Sequence, residues 1–301
     1  MVKVLGLGDN VCDIYLNQGV MYPGGQALNV AVYAKQLDVQ SDFLGVNGTD
    51  EVAEHVLRTL DELGVGHSRC RRTRGENGFA CVTLIDGDRV FLGSNKGGVL
   101  QKTPIKLGQD DLTYIDCFDV VHTTNNGFID EQLPLLAPLS PLISYDFSYR
   151  WNEQDRLERV CSYIDFSFLS CSELSEDETF ELCEHVYKKG CGVVVATRGS
   201  KGAFVWDGAR VYRQPPYAVQ AIDTMGAGDS FAACLLVRLA QALKSDGKGR
   251  WTDANYRAKI LPPALADAAA FASKTCLVHG SFGYGTPVPA SLKTRIKEVV
   301  S

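Results

Sequence analysis

Short apolar runs recur along this chain, separated by stretches in which apolar residues return every three or four positions. The runs are Val2–Leu7, Phe43–Val46, Val120–His122, Leu142–Tyr145, Phe166–Leu169 and Val193–Ala196. Each is short and bounded by polar or glycine-containing segments, the pattern of a buried strand. Between them, Gln26–Leu37, Glu51–Leu63, Asp130–Ala137, Ser175–Lys188, Gly226–Leu243 and Pro262–Val278 predict helices. Such alternation predicts an α/β fold of one domain over residues 1–301. A mostly parallel sheet is covered by helices on both faces, and ligands sit beyond the carboxyl ends of the strands.

Three stretches break the rhythm. Phe79–Leu84 and Arg89–Leu92 alternate apolar with polar residues around the turn Asp86-Gly87-Asp88, which predicts a β-hairpin. Val11–Gln18, just after the first strand, is placed to pair with it. Segments 11–20 and 77–97 are therefore expected to form a small β lid over a site. Ala203–Trp206, Asp207-Gly208 and Ala209–Arg213 predict a second hairpin at the sheet edge, with a structural role. Ala240–Arg257 is polar and glycine-containing and reads as a surface loop.

Composition narrows the partners. The formal net charge is −6 and Lys and Arg are scattered, which argues against nucleic acid and anionic membranes. No apolar run approaches the roughly 20 residues needed to cross a bilayer. The start, Met1-Val2-Lys3-Val4-Leu5, reads as a strand rather than a signal peptide, so a cytoplasmic setting is expected. Ten cysteines occur without a Cys-x-x-Cys pair, and the five histidines are dispersed. Disulfides and structural zinc are therefore not expected, and Cys81, Cys161, Cys191, Cys234 and Cys276 read as core fillers.

The segment with most chemistry is Asp223-Thr224-Met225-Gly226-Ala227-Gly228-Asp229, followed by the apolar Phe231–Val237. Small residues at a helix start let backbone N–H groups face an anion, and the helix dipole adds to the attraction. Asp229 falls in the first turn, beside that anion. It can take a proton from a hydroxyl that attacks a held phosphoryl group. Gly24 and Gly25 allow backbone to approach a ligand, and Asn29, one turn into the next helix, can donate and accept toward a polyol. Asp9 and Asp13 follow the first strand and suit sugar hydroxyls. Gly6-Leu7-Gly8 lacks the third glycine of a dinucleotide site, Val11 standing in its place.

In combination these motifs resemble the ribokinase-like sugar kinases, the PfkB family, over essentially the whole chain. Gly24-Gly25 with Asn29 is similar to the family's N-terminal signature, and Asp223–Asp229 to its C-terminal one. The resemblance implies a three-layer ribokinase-like fold with a β lid. It implies Asp229 as catalytic base and the amides around Gly226, Ala227 and Gly228 as the anion hole. It also implies ATP beside Thr197, Gly199 and Gly202, with the adenine towards Pro262–Val278. Ser170-Cys171-Ser172-Glu173 stands where the family has Asn-x-x-Glu, so Glu173 is the candidate to orient Mg²⁺ through water, and Ser170 replaces the asparagine. Asp223 resembles a monovalent-cation site, a candidate for K⁺.

Within the family the likeness runs to fructoselysine 6-kinases. It is carried by Gly8-Asp9-Asn10, Asp13-Ile14-Tyr15, Asn29–Tyr33, Asp88–Phe91, Tyr145-Asp146-Phe147-Ser148, Ile222–Gly226 and Val278–Ser281. A fructose–amino-acid acceptor, phosphorylated at C6, is the resulting expectation; fructoselysine and fructose-asparagine both fit. Arg89, Asn95 and Lys96 are then candidates for the acceptor's carboxylate. The projecting hairpin suggests a homodimer through the lid. The alternatives are a kinase of ribose, fructose, a nucleoside or a keto-sugar acid, and a non-catalytic sugar-binding regulator on the same fold.

Overall fold

The computed structural model describes residues 1–85 and 88–300. The chain begins with β1 (Lys3–Gly8), β2 (Val11–Tyr15) and β3 (Val20–Gly24), followed by α1 (Gln26–Gln36), β4 (Gln40–Asn47) and α2 (Glu51–Leu63). A short β5 (Arg71–Arg72) leads to β6 (Gly78–Ile85) and β7 (Asp88–Ser94), then to α3 (Val99–Lys102) and α4 (Gln109–Ile115). Next come β8 (Val120–Thr124), α5 (Leu133–Leu136), β9 (Leu142–Ser148), α6 (Gln154–Val160), β10 (Phe166–Ser170) and α7 (Glu176–Lys188). The last third holds β11 (Val193–Thr197), β12 (Ala203–Trp206), β13 (Val211–Gln214), α8 (Ala227–Asp246), α9 (Ala254–Thr275), β14 (Thr286–Pro287) and α10 (Lys293–Val300).

The strands form two sheets. In the larger, the order is β13-β12-β11-β10-β9-β8-β1-β4-β5, parallel except where β12 and β13 close the edge as an antiparallel hairpin. One core lies between this sheet and α1, α8 and α9, and continues beneath the smaller sheet. A second core lies under α4 to α7 on the other face. The three-layer expectation holds. Close approach explains Gly6: a Cβ there would lie 2.1 Å from the Ala27 carbonyl oxygen, so this glycine lets α1 settle on β1.

The smaller sheet has the order β14-β3-β2-β6-β7. β2 pairs with β6 in parallel, as the pattern suggested, and β3 and β14 extend it. The Asp86-Gly87 turn expected between β6 and β7 lies outside the described residues.

The region 240–257 is not a loop. α8 continues to Asp246 because Ala240 and Leu243 keep the buried stripe going. α9 starts at Ala254, eight residues before Pro262, with the Asp253 side chain accepting from Asn255 N at its start. Pro262 and Pro263 sit inside it; the burial of Leu261, Ala264 and Leu265 carries the helix through two missing N–H donors. Asp207, in the edge hairpin, anchors this helix by an ion pair with Arg257 at 3.0 Å. All ten cysteines are free thiols. Cys81, Cys161, Cys191 and Cys234 are buried as expected, whereas Cys276 is only half-buried.

Candidate active site

The carboxyl ends of β1, β8 and β9 converge with the smaller sheet and the start of α8. Gly226 caps α8 with φ 74°, a left-handed conformation, and a Cβ there would lie 2.4 Å from the Tyr33 hydroxyl. Only glycine fits. The Ala227 N–H is bonded to Thr224 O at 3.3 Å, and Ser230 N–H to Gly226 O at 2.8 Å. The N–H groups of Gly228 and Asp229 find no acceptor among the described residues. Gly228 is exposed, with nothing within 4 Å of where a Cβ would stand. These two donors, without an acceptor among the described residues, stand at the positive end of a twenty-residue helix, where a negative charge would be attracted.

Asp229 sits on that same first turn, only 8% exposed. Its Oδ2 accepts from Asn29 Nδ2 at 2.6 Å, and the second donation of that amide goes to Ser281 Oγ at 2.9 Å. The Tyr33 hydroxyl fixes the Ser281 carbonyl. Burial pushes the Asp229 carboxyl up to about 6, against the opposing pull of Asn29 and Arg89. Asn29, expected to face a polyol, turns its amide nitrogen to the acid instead and holds one of its oxygens.

The other predicted acids divide. Asp9 is occupied: it accepts from Gln26 N at 2.7 Å, Ala27 N at 3.2 Å and Thr124 Oγ1 at 2.8 Å. It caps α1, whose own N-cap, Gly25, has no side chain, and so is not free for sugar hydroxyls as the sequence suggested. Asp13, 7% exposed on β2, accepts no hydrogen bond among the described residues. Burial and the neighbouring Asp229, Asp223 and Asp9 push it up to about 7, with Arg89 opposing. Its Oδ2 would be 2.6 Å from a Cβ on Gly24, so Gly24 makes room for the carboxylate. Gly25, at φ 107°, packs on Asn10 and Asp9.

Arg89 of the lid donates to Thr224 O at 3.4 Å, and Asp88 accepts from Thr224 Oγ1 at the same distance. The β6–β7 hairpin thus rests on the glycine-rich turn. Asn95 is not available for a carboxylate: its Oδ1 accepts from Phe79 N and its Nδ2 donates to Asn77 O, tying the hairpin together. Asp223 is fully buried and accepts from Tyr15 OH at 2.6 Å, Gly280 N at 2.8 Å and Met225 N at 2.9 Å. Three protein donors thus take acceptor positions that a monovalent cation would need.

The second group gathers at the ends of β10 and β11, where Ser170 and Thr197 are register neighbours. The loop after β10 meets the turn after β11 through Lys201 Nζ, which donates to Ser172 O at 2.9 Å. Thr197 Oγ1 is bonded to Leu169 O. Gly199 and Gly202 both have positive φ, and a Cβ on Gly202 would lie 2.1 Å from Gln214 O, so closing the edge hairpin is reason enough for that glycine. Ser170 is exposed, and its carbonyl accepts from Trp151 Nε1. Glu173 is exposed with no partner among the described residues, and no group of three or more metal-binding side chains is found among them. A lone exposed carboxylate suits Mg²⁺ that keeps its waters and is carried by phosphates.

One residue escaped notice as a site group. Asp146, near the carboxyl end of β9, is buried close enough to Asp229 and Asp9 to feel their charge, and its carboxyl is pushed up to about 8 by burial and by Asp229. Its position after the run Leu142–Tyr145 was the available signal.

The profile of the pfkB family carbohydrate kinases matches residues 3–283. The chain belongs to this family. It is 42% identical over 301 residues to the fructosamine kinase FrlD of Bacillus subtilis (strain 168), covering 98% of this chain and 100% of that one. It is 32% identical over 283 residues to the fructoselysine 6-kinase of Escherichia coli (strain K12), covering 94% and 100%. Among solved structures, Giardia lamblia ribokinase superposes with a TM-score of 0.78 at 16% identity, covering 99% of this chain and 100% of that one. Xylella fastidiosa fructokinase with bound ATP gives 0.74 at 19% identity and 98% coverage of both. Those two likenesses establish the ribokinase-like fold. As a member of the PfkB family the chain is a carbohydrate kinase, a phosphotransferase with an alcohol acceptor.

Proposed function

We propose that this kinase transfers the terminal phosphoryl group of ATP to the C6 hydroxyl of a fructose–amino-acid conjugate such as fructoselysine. The observation that carries this reading is the pairing of Asp229 with the unoccupied N–H groups of Gly228 and itself, and the names of the two relatives support the acceptor. Asn29 holds Asp229 Oδ2, so Oδ1 is the oxygen left for the acceptor. With a carboxyl near 6, Asp229 is ionised at neutral pH yet basic enough to take the hydroxyl proton as that oxygen attacks phosphorus. The free amides take up charge developing on the phosphoryl oxygens; such a donor contributes on the order of 10²–10³ in rate.

ATP lies along the Ser170–Glu173 and Thr197–Gly202 turns. Glu173 is the residue that would hold Mg²⁺ through water, and the ion would supply charge neutralisation for the phosphates when bound. Asp13 meets the sugar, and the lid bearing Arg89 shuts out water that would otherwise compete as acceptor. The apolar Ile85, Val90, Phe91 and Leu92 are exposed along the outer lid, Phe91 by 62%, and we assign them to a homodimer contact. No helix among the described residues is long and apolar enough to cross a membrane. The test is a coupled ADP-release assay with fructoselysine, fructose-asparagine, fructose and ribose. The conjugates should be turned over with the highest kcat/KM; a clear preference for ribose or free fructose would overturn the acceptor assignment.

A further inference from the structure

Among the described residues, the site is rich in side-chain acceptors and short of donors. Asp9 is satisfied by three donors, and one oxygen of Asp229 by Asn29. The Asp13 carboxyl, nine-tenths buried, has no hydrogen-bond donor among the described residues. Asp146 has one oxygen pinned by Ser148 N–H at 2.6 Å, and only the Gln26 side chain besides. The buried Oδ1 of Asn125, whose N–H donates to Asp146 O, accepts nothing. Positive charge is equally scarce. Arg89 acts on Asp13 and Asp229, whereas the charged groups acting most strongly on Asp146 are both anions, Asp229 and Asp9. Arg156, which reaches Asn125 O, is bonded to Asp130, Glu153 and the Tyr145 hydroxyl.

The backbone is bent to present this acid. Ser148 adopts φ 52°, unfavourable for a side-chain-bearing residue, and the pairing of β9 with β10 slips between Phe168 and Leu169. That turn directs Ser148 N–H back at Asp146. A carboxyl buried beside anions, with no cation bonded to it among the described residues, keeps its proton until a cationic ligand arrives to pair with the carboxylate. A neutral sugar brings hydroxyl donors but no charge. A fructose–amino-acid conjugate brings both, because its C1 nitrogen is a secondary amine protonated near neutral pH. That amine is common to every such conjugate, whichever amino acid it carries.

Resting on the acceptor class proposed above, we propose that Asp146 is the residue that recognises the protonated secondary amine of the conjugate. It thereby selects fructosamines as a class over neutral sugars. The role is one of specificity: Asp229 performs the proton transfer.

The experiment compares kcat/KM for fructosyl-glycine with that for the matching 1-O-alkyl fructose ether, in which a neutral oxygen replaces the NH₂⁺. It is run on the wild type, Asp146→Asn and Asp146→Glu, each checked for folding by thermal melting with and without ADP. The wild type should favour the amine. In Asp146→Asn the amine-to-ether ratio should fall on the order of 10–100-fold, the loss of a charged hydrogen bond, and Asp146→Glu should restore part of it. An Asp146→Asn ratio equal to the wild-type ratio would overturn the assignment while leaving the conjugate reading intact. Should Asp146→Asn fail to fold, a wild-type ratio near one would overturn it just as well. A wild type that turns over free fructose faster than every fructosyl–amino acid would end both.

Discussion

Replacing Asp229 by Asn should make a protein that is more stable and nearly inactive. The folded carboxyl titrates near 6 and an unfolded one near 3.8. The folded state therefore holds its proton more tightly, and the residue's contribution to stability falls as pH rises from about 4 to about 6. Above that window the buried charge costs about 3 kcal/mol at 1.36 kcal/mol per pKa unit. Asn is close to isosteric and carries no charge, so it removes this cost. The opposing pull of the Asn29 hydrogen bond is already contained in that net cost. The expectation at pH 7.5 is therefore a gain of about 3 kcal/mol, seen as a rise of several degrees in Tm. Below pH 4 the gain should vanish. The rate should fall roughly 10²–10⁴-fold, the contribution of a positioned base, while ADP still shifts the melting curve. Urea melts at pH 4 and 7.5, with an ADP-release assay, measure both. A variant that is less stable at pH 7.5, or that keeps activity within tenfold of wild type, would refute the assignment.

Other consequences follow from the same geometry. His122 is fully buried between β8 and β9, its Nδ1 against Ser144 Oγ at 2.8 Å, and burial lowers it to about 3. Its stability contribution is present above pH 6.5 and is lost as pH falls towards 3, so about 2 kcal/mol should be gone at pH 5; His122→Phe should flatten the urea-melt pH profile by that amount. Gly226→Ala should destabilise, since its Cβ meets the Tyr33 hydroxyl at positive φ, whereas Gly228→Ala has open space and should fold at least as stably; equal melting behaviour of the two would contradict the fit around the turn. Tyr15→Phe removes one of three donors to the buried Asp223 and should cost about 1–3 kcal/mol by urea melting. Arg89→Ala should move the acid limb of the kcat pH profile upward, because Arg89 holds the Asp229 carboxyl down.

Much of the frame was written in local pattern. Buried runs such as Val193–Ala196 can only be interior strands, and Glu51–Leu63 shows its helical stripe and its Asp50 cap openly. The Gly226–Asp229 turn stood out only in company: glycines and a first-turn acid are common, but their occurrence in order after Gly24-Gly25 and Asn29 is specific. What stayed hidden depends on partners distant in the chain. Asp9 and Asp13 look alike after a strand, yet one accepts from the α1 N–H groups and the other's carboxyl accepts no hydrogen bond among the described residues. Asn29 looked like a sugar ligand, and only the meeting of α1 with α8 turns its amide onto Asp229. Asn95 was absorbed by a hairpin whose register the sequence does not print. The 240–257 region misled because glycines and charges outweighed a sparse apolar stripe that becomes decisive only once α8 packs on α9.

The central claim is that this site delivers phosphate to the terminal hydroxyl of a fructose joined to an amine. The most direct measurement is ³¹P and ¹³C NMR of the product formed from ATP and uniformly labelled fructoselysine. The predicted result is a single phosphomonoester coupled to C6, formed by the wild type and absent with Asp229→Asn. Phosphate on another carbon, or ADP formed with no sugar phosphate, would contradict the account.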